Sequence, residues 1–324
     1  MAERALVTGG AGFIGSNLVR ELLTRGSAVR VFDDLSTGRR ENLADVDVDV
    51  EVVEGDLRDP EAVARATDGV SHVFHQGAVP SVPRSVKDPL TSHEANATGT
   101  LNVLVAARDA QVERVVFASS SSVYGDAEEL PMRETLPTRP ISPYGVSKLS
   151  GERYCGAFAA TYGMATVALR YFNVFGPRQN PVSEYAAVVP RFITATLRGE
   201  PVVVFGDGEQ SRDFTFVGDV VAANLLAAEA GKQAWGGVFN VAYNERHSVN
   251  QLLETIGRVS GKESVDPVRE PARPGDIRDS QADISLARDV LGYVPRWSFD
   301  EGLRLTVDWF RGIEGGSGSL ARQG

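Results

Sequence analysis

At 324 residues, 42% hydrophobic and 23% charged, the chain has the composition of an ordinary soluble globular protein, with enough apolar residues for a large core in one or two domains. Its net charge of -10 comes with basic residues scattered singly or in pairs, which excludes the basic stripe that nucleic acid requires. A lone cysteine, Cys155, excludes an intramolecular disulfide and reads as a small buried hydrophobe.

No run approaches the ~18 apolar residues of a membrane span. The opening MAERALVTGG lacks the charged and apolar regions of a signal peptide, so a cytoplasmic protein is expected. His72, His75, His93 and His247 form neither HxxxH nor HExxH spacing, so no structural metal is expected.

From the N-terminus, short β-branched runs alternate with longer amphipathic stretches. RALVTG, FIGSNLVRELLTRG, AVRVFDD, VEVVEGD, PEAVARATDG and VSHVFHQGA are followed by a long segment from Asp88 to Ala110 and by VERVVFASSS. A helix from about Pro143 to Tyr162 and the strand TVALRYF continue the pattern. Parallel strands need long crossovers, so this spacing predicts an α/β, doubly wound parallel sheet of Rossmann type.

Beyond Asn173 the pattern loosens into a loop FGPRQNP, a helix VVPRFITATLRG, a short strand PVVVFG, a loop DGEQSRD, and helices from about Phe216, His247 and Asp283. The expected division is a Rossmann domain over 1–173 that the chain re-enters around 214–245, a smaller, mainly C-terminal substrate domain over 174–313, and a flexible tail over 314–324.

LVTGGAGFIGSNLV follows the first strand and satisfies G-x-G-x-x-G with Gly10, Gly12 and Gly15, or G-x-x-G-x-x-G with Gly9, Gly12 and Gly15. Such glycines permit a tight turn and close approach of a pyrophosphate to a helix N-terminus. Asp33 and Asp34 end the second strand where a carboxylate would accept hydrogen bonds from an adenosine ribose, which favours NAD over NADP. Arg39 and Arg40 argue the other way, since an arginine there can hold a 2′-phosphate. Asp56, at the end of the third strand, would reach the adenine or cap a helix.

In SPYGVSKL, Tyr144 and Lys148 are four residues apart and share a helical face. An ammonium about 5 Å from a phenol favours phenolate by about 3 kcal/mol at an effective dielectric near 20, or about two pKa units. Tyr144 would then act as a general base near neutral pH. VVFASSSSVYG releases four serines at the carboxyl end of the sheet, where a hydroxyl can donate to a forming carbonyl; the same serines could instead satisfy their own backbone.

The set TGGAGFIGSN, DDLSTGRREN, EGDLRD, SSSSVYGD, SPYGVSK, LRYFNVFGPRQ, GDGEQSRDF and RPGDIRDSQADIS resembles the extended short-chain dehydrogenase/reductase superfamily. Within it, the chain is similar to NAD-dependent UDP-hexose 4-epimerases, most closely those acting on UDP-N-acetylglucosamine. The resemblance implies a transient 4-keto sugar, with Tyr144 as base, Lys148 as its electrostatic partner and Ser120 as the catalytic serine. It implies NAD contacts from Gly9, Gly12, Phe13, Ile14, Gly15, Asp33, Asp34, Leu35, Ser36, Thr37, Gly38, Asp56, Leu57, Gln76, Gly77, Ala78, Asn96, Ser119, Tyr144, Lys148 and Tyr171.

For the UDP-sugar the implied contacts are Ser81, Arg84, Ser120, Ser121, Ser122, Tyr144, Asn173, Val189, Val204, Phe205, Arg212, Arg273, Asp276 and Ser280. Ser280 stands where some relatives carry a bulky tyrosine, so an N-acetyl group at carbon two would fit. Related dehydratases carry an acidic pair at Ser121 and Ser122, and a decarboxylase of UDP-glucuronic acid a glutamate at Ser122; serine supplies neither acid nor base at pH 7. The alternatives are a UDP-glucuronic acid 4-epimerase, a net dehydrogenase, or a non-catalytic NAD-binding sensor. The family further implies a homodimer through a four-helix interface built from 88–110 and 143–162.

Overall fold

In the first strand, β1 (Arg4–Thr8), every side chain from Ala5 onward is buried. Val7 enters one core and Leu6 another, so both faces of the sheet are covered. The computed structural model describes residues 4–181, 187–262, 266–272 and 278–320, with side chains to 313. β1 is joined by β2 (Ala28–Asp33), β3 (Val50–Glu54), β4 (His72–His75), β5 (Arg114–Ser120), β6 (Thr166–Tyr171) and a strand Val238–Val241. All pair in parallel, in the order β3, β2, β1, β4, β5, β6, Val238–Val241. The order reverses between β1 and β4, and ligands bind at such a switch point beyond the strands' carboxyl ends. This is the doubly wound α/β sheet that the alternation predicts.

On one face, α1 (Phe13–Thr24) and the helix Val217–Glu229 bury Leu18, Val19, Leu22, Val220 and Leu225. On the other lie α2 (Pro60–Thr67), the trio α3 (Val82–Lys87), α4 (Pro89–His93) and α5 (Gly99–Asp109), and α6 (Pro143–Tyr162), which buries Cys155 and Phe158. The segment 88–110 is not one helix: a π-helical turn, Glu94–Thr98, separates α4 from α5. Beyond that turn Gly99 lies against Leu57, where an added Cβ would be 2.8 Å from the leucine Cβ. α6 matches its predicted span because both ends are written locally. Ser142 accepts the Gly145 N–H, Pro143 suits the first turn, and Gly163 closes the helix at φ 69°.

A third core gathers Phe175, Phe214, Phe216 and Phe299 beneath the helices Val188–Arg198, Val249–Ser260 and Phe299–Leu320. Its small sheets pair Val203–Phe205 with Val268–Glu270 and Ser211–Arg212 with His247–Ser248. The last helix runs on to Leu320, so 314–320 is helical where a tail was expected; extending a formed helix adds a hydrogen bond per residue without a new nucleus. Residues 321–324 lie outside those described. Among the described residues, no helix is long and apolar enough to cross a membrane.

Candidate active site

The glycine loop is shaped by collisions that only hydrogen avoids. Gly9 has φ 66° and lies against Gly77, and a Cβ on Gly15 would be 2.1 Å from the Gly9 carbonyl oxygen. α1 therefore starts directly beyond β1, with no side-chain cap and no acidic residue in its first turn. Its leading N–H groups face a cleft of about 800 Å³ at the switch point, an arrangement that suits a pyrophosphate.

At the far end of the cleft the Asp33 carboxylate is already oriented by the Ala11 and Leu35 N–H groups, both at 2.9 Å. Burial raises its pKa above the usual carboxylate value. Asp34 accepts from Ser36, and Arg40 pairs with Glu54 at 3.0 Å. Asp56 binds Arg58 and is held below its ordinary pKa by it, while Asp59, not Asp56, caps α2. These features fit NAD: amides for the diphosphate at one end, and at the other a carboxylate with both oxygens preset for a ribose diol.

The cleft collects Gly9, Gly12, Phe13, Ile14, Gly15, Asp33, Asp34, Leu35, Ser36, Thr37, Gly38, Asp56, Leu57, Gln76, Gly77, Ala78, Ser119, Tyr144, Lys148 and Tyr171, and also Ser81 and Arg84. Asn96 is not in its wall. Its amide clasps Val79 through N–H to Oδ1 at 2.7 Å and Nδ2 to carbonyl at 3.1 Å, and donates to Ser147 at 3.2 Å, bracing the loop after β4 against α6. Arg178 and Gln179 line the cleft and were not singled out from the sequence. Arg178 has φ 70° and touches Asn17 and Asp45, a placement that the loop FGPRQNP gives no pattern to reveal.

Tyr144 and Lys148 lie on one face of α6, as their spacing requires, but their electrostatics differ from expectation. The Lys148 ammonium donates to the Ala118 carbonyl at 2.9 Å and sits 5.9 Å from the Tyr144 ring centre. Burial lowers Lys148 to about 8. Burial also raises the Tyr144 phenol, and a hydrogen bond with Ser120 lowers it by less. The expected depression by lysine is thus overturned for the protein's own groups, because desolvation of the phenolate outweighs what the neighbours return.

Ser120 takes part in the serine turn as well: its hydroxyl donates to Ser122 Oγ at 3.1 Å and accepts the Ser122 N–H at 3.2 Å. Ser119 donates to Glu152 at 2.6 Å, and Arg170 forks onto the same carboxylate with two bonds of 2.8 Å. The run is therefore partly self-satisfying and partly aimed at the tyrosine.

Of the other predicted substrate residues, Val189 and Val204 are buried in the third core, and Ser280 is buried with its N–H on the Ser211 carbonyl. Ser121 opens the short turn after β5, and Phe205 ends its strand. Arg212 donates to the carbonyls of Ser211 and Arg278, and Asn173, at φ 35°, donates to the Asp213 carbonyl. Arg273 and Asp276 lie outside the described residues. Among the described residues, no cluster of three or more histidine, cysteine, aspartate or glutamate side chains could hold a metal ion.

Comparison with known proteins agrees with this geometry. A family model described as "NAD dependent epimerase/dehydratase family" matches residues 5–242. The fold is similar to that of a UDP-N-acetylglucosamine 4-epimerase from Methanobrevibacter ruminantium M1, in complex with UDP-N-acetylmuramic acid, with TM-score 0.91 and 41% identity over 97% of this chain and 100% of that one. It is similar also to a UDP-glucose 4-epimerase with UDP-glucose from Thermotoga maritima, with TM-score 0.90 and 41% identity over 96% and 99% of the two chains. A UDP-N-acetyl-alpha-D-glucosaminuronate decarboxylase from Bacillus cytotoxicus is 31% identical over 97% of this chain and 99% of its own. With the glycine loop, the Asp33 carboxylate and the Tyr144 and Lys148 pair in one cleft, the chain belongs to the NAD-dependent epimerase/dehydratase family of extended short-chain dehydrogenases/reductases.

Proposed function

We propose that the protein is a UDP-sugar 4-epimerase acting on UDP-N-acetylglucosamine and UDP-N-acetylgalactosamine, with UDP-glucose and UDP-galactose as further substrates. The observation that carries this reading is that Tyr144 and Lys148 line the cleft together, with Ser120 hydrogen-bonded to the tyrosine. NAD, when bound, supplies a hydride acceptor that becomes a donor, so the net redox change is zero.

The residues supply the rest. Tyr144 Oη takes the proton of the sugar 4-hydroxyl as the carbonyl forms and returns it after the ring has presented its other face. Since burial opposes the phenolate, the positive charges of Lys148 and of an oxidised nicotinamide are needed to bring it within reach of neutral pH. Ser120, hydrogen-bonded to the tyrosine, donates to the developing carbonyl oxygen. Arg212 takes the diphosphate, joined by Arg273, with Asp276 on the uridine ribose.

Serines at 121 and 122 argue against elimination and decarboxylation, which need a carboxyl group there. The nearby carboxylate of Glu152 is committed to Arg170 and Ser119. Ser280, standing where some relatives carry a bulky tyrosine, supports acceptance of an N-acetyl group. The protein forms a homodimer through α4 to α6, a proposal supported by the exposed Leu90 (74%), Val146 (48%) and Tyr162 (52%).

The test incubates the protein separately with UDP-N-acetylglucosamine, UDP-glucose and UDP-glucuronic acid, without added reductant, and reads the axial or equatorial 4-hydroxyl by proton NMR. Inversion in the first two is expected. Three unchanged sugars with NAD bound would overturn the assignment.

A further inference from the structure

Asp213 is fully buried, yet its carboxylate is held by backbone amides. Oδ1 accepts the N–H of Tyr243 at 3.0 Å and of Asn244 at 3.1 Å, and Oδ2 accepts that of Ala282 at 3.1 Å. A buried charge is costly unless its hydrogen bonds are satisfied, and here those bonds span the molecule. Tyr243 and Asn244 follow the edge strand Val238–Val241 of the main sheet, whereas Ala282 lies two residues beyond Ser280. The Asp213 carbonyl receives Asn173 Nδ2 at 3.3 Å, and Arg212 precedes it. One residue thus touches or adjoins the three segments that carry Asn173, Arg212 and Ser280.

We infer that Asp213 is a positioning residue for the sugar nucleotide: by tying the Ser280 segment and the Arg212 strand to the edge of the main sheet, it fixes the gap between diphosphate and sugar. The inference rests on the reading of Arg212, Asn173 and Ser280 as substrate residues. Carboxylate chemistry is required because both oxygens accept. In Asp213→Asn one of them becomes an NH2 that faces a backbone N–H, leaving that donor unpaired and pushing its segment away. Asp213→Glu keeps the acceptors but adds a methylene to a closed site.

Burial lifts this carboxyl to about 7 against its hydrogen bonds, so the experiment is run at about pH 8.5, where the carboxylate dominates. UDP binding is measured by calorimetry on NAD-loaded wild type, Asp213→Asn and Asp213→Glu, alongside kcat and KM for UDP-N-acetylglucosamine. In Asp213→Asn, the UDP dissociation constant and KM are expected to rise about tenfold, with NAD content and kcat within about twofold. UDP affinity within about twofold of wild type in that variant, or a kcat that falls as far as affinity does, overturns the inference.

Should the variants fail to fold, amide exchange on the wild type decides. UDP should slow exchange at Tyr243, Asn244 and Ala282 together, and no change at those amides overturns the inference. Wild-type protein that binds no UDP would instead remove the sugar-nucleotide assignment itself, and the inference with it.

Discussion

Along the cofactor cleft, contacts come from near neighbours in the chain: Gly9 to Gly15 in one turn, Asp33 to Gly38 in the next, Gln76 to Ala78 in a third. On the proposed sugar-nucleotide side, Asn173, Arg212 and Ser280 stand on three distant segments that meet through the main chain around Asp213. The first region is held by what the backbone can do locally; the second is held by hydrogen bonds between segments far apart in the chain. A lesion in the first should therefore be read in the cofactor or the chemistry, and a lesion in the second in substrate affinity.

The sharpest test of that division is Tyr144→Phe. Losing the phenolic proton carrier should lower kcat by about 10²–10⁴-fold while cofactor absorbance in the purified protein stays that of wild type. Comparable loss of cofactor would blur the two regions. Gly15→Ala should act on the other quantity: its Cβ would be 2.1 Å from the Gly9 oxygen, and neither backbone can yield cheaply. A loss of about 3 kcal/mol in stability, seen in thermal melts, with NAD released on gel filtration, is expected.

Across the divide, Arg212→Ala removes the proposed diphosphate clamp and should raise KM by about 30-fold, or ~2 kcal/mol, with NAD retained. The mildest case is Ser280→Tyr. The bulkier side chain should shift the ratio of kcat/KM between UDP-N-acetylglucosamine and UDP-glucose by about tenfold toward glucose, measured in one competition assay. An unchanged ratio would detach Ser280 from the choice of sugar.

The same contrast decides what the sequence could disclose. Gly12, Asp33, Tyr144 and Lys148 were legible because spacing alone puts them on one turn, one strand end or one helix face. The direction of the Tyr144 shift was not, since i,i+4 geometry reports a neighbour's charge but not the burial that outweighs it. Nor was the break in 88–110, because a π-helical turn leaves no signal in hydrophobic periodicity. Arg178 and Asp213 were missed for a third reason. Their roles lie in contacts with Asn17, Asp45, Tyr243 and Ala282, far away along the chain.

The backbone N–H of Tyr144 is held at 3.1 Å by the hydroxyl of Ser85, which is buried in α3, and α3 is capped by Ser81, whose φ is 99°. The loop that brings Ser81 and Arg84 to the cleft is thus fastened to the first turn of the helix that carries the phenol. On the proposed reading of Tyr144 as the base, a shift of that loop on ligand binding would reach the phenol's helix through this one hydroxyl.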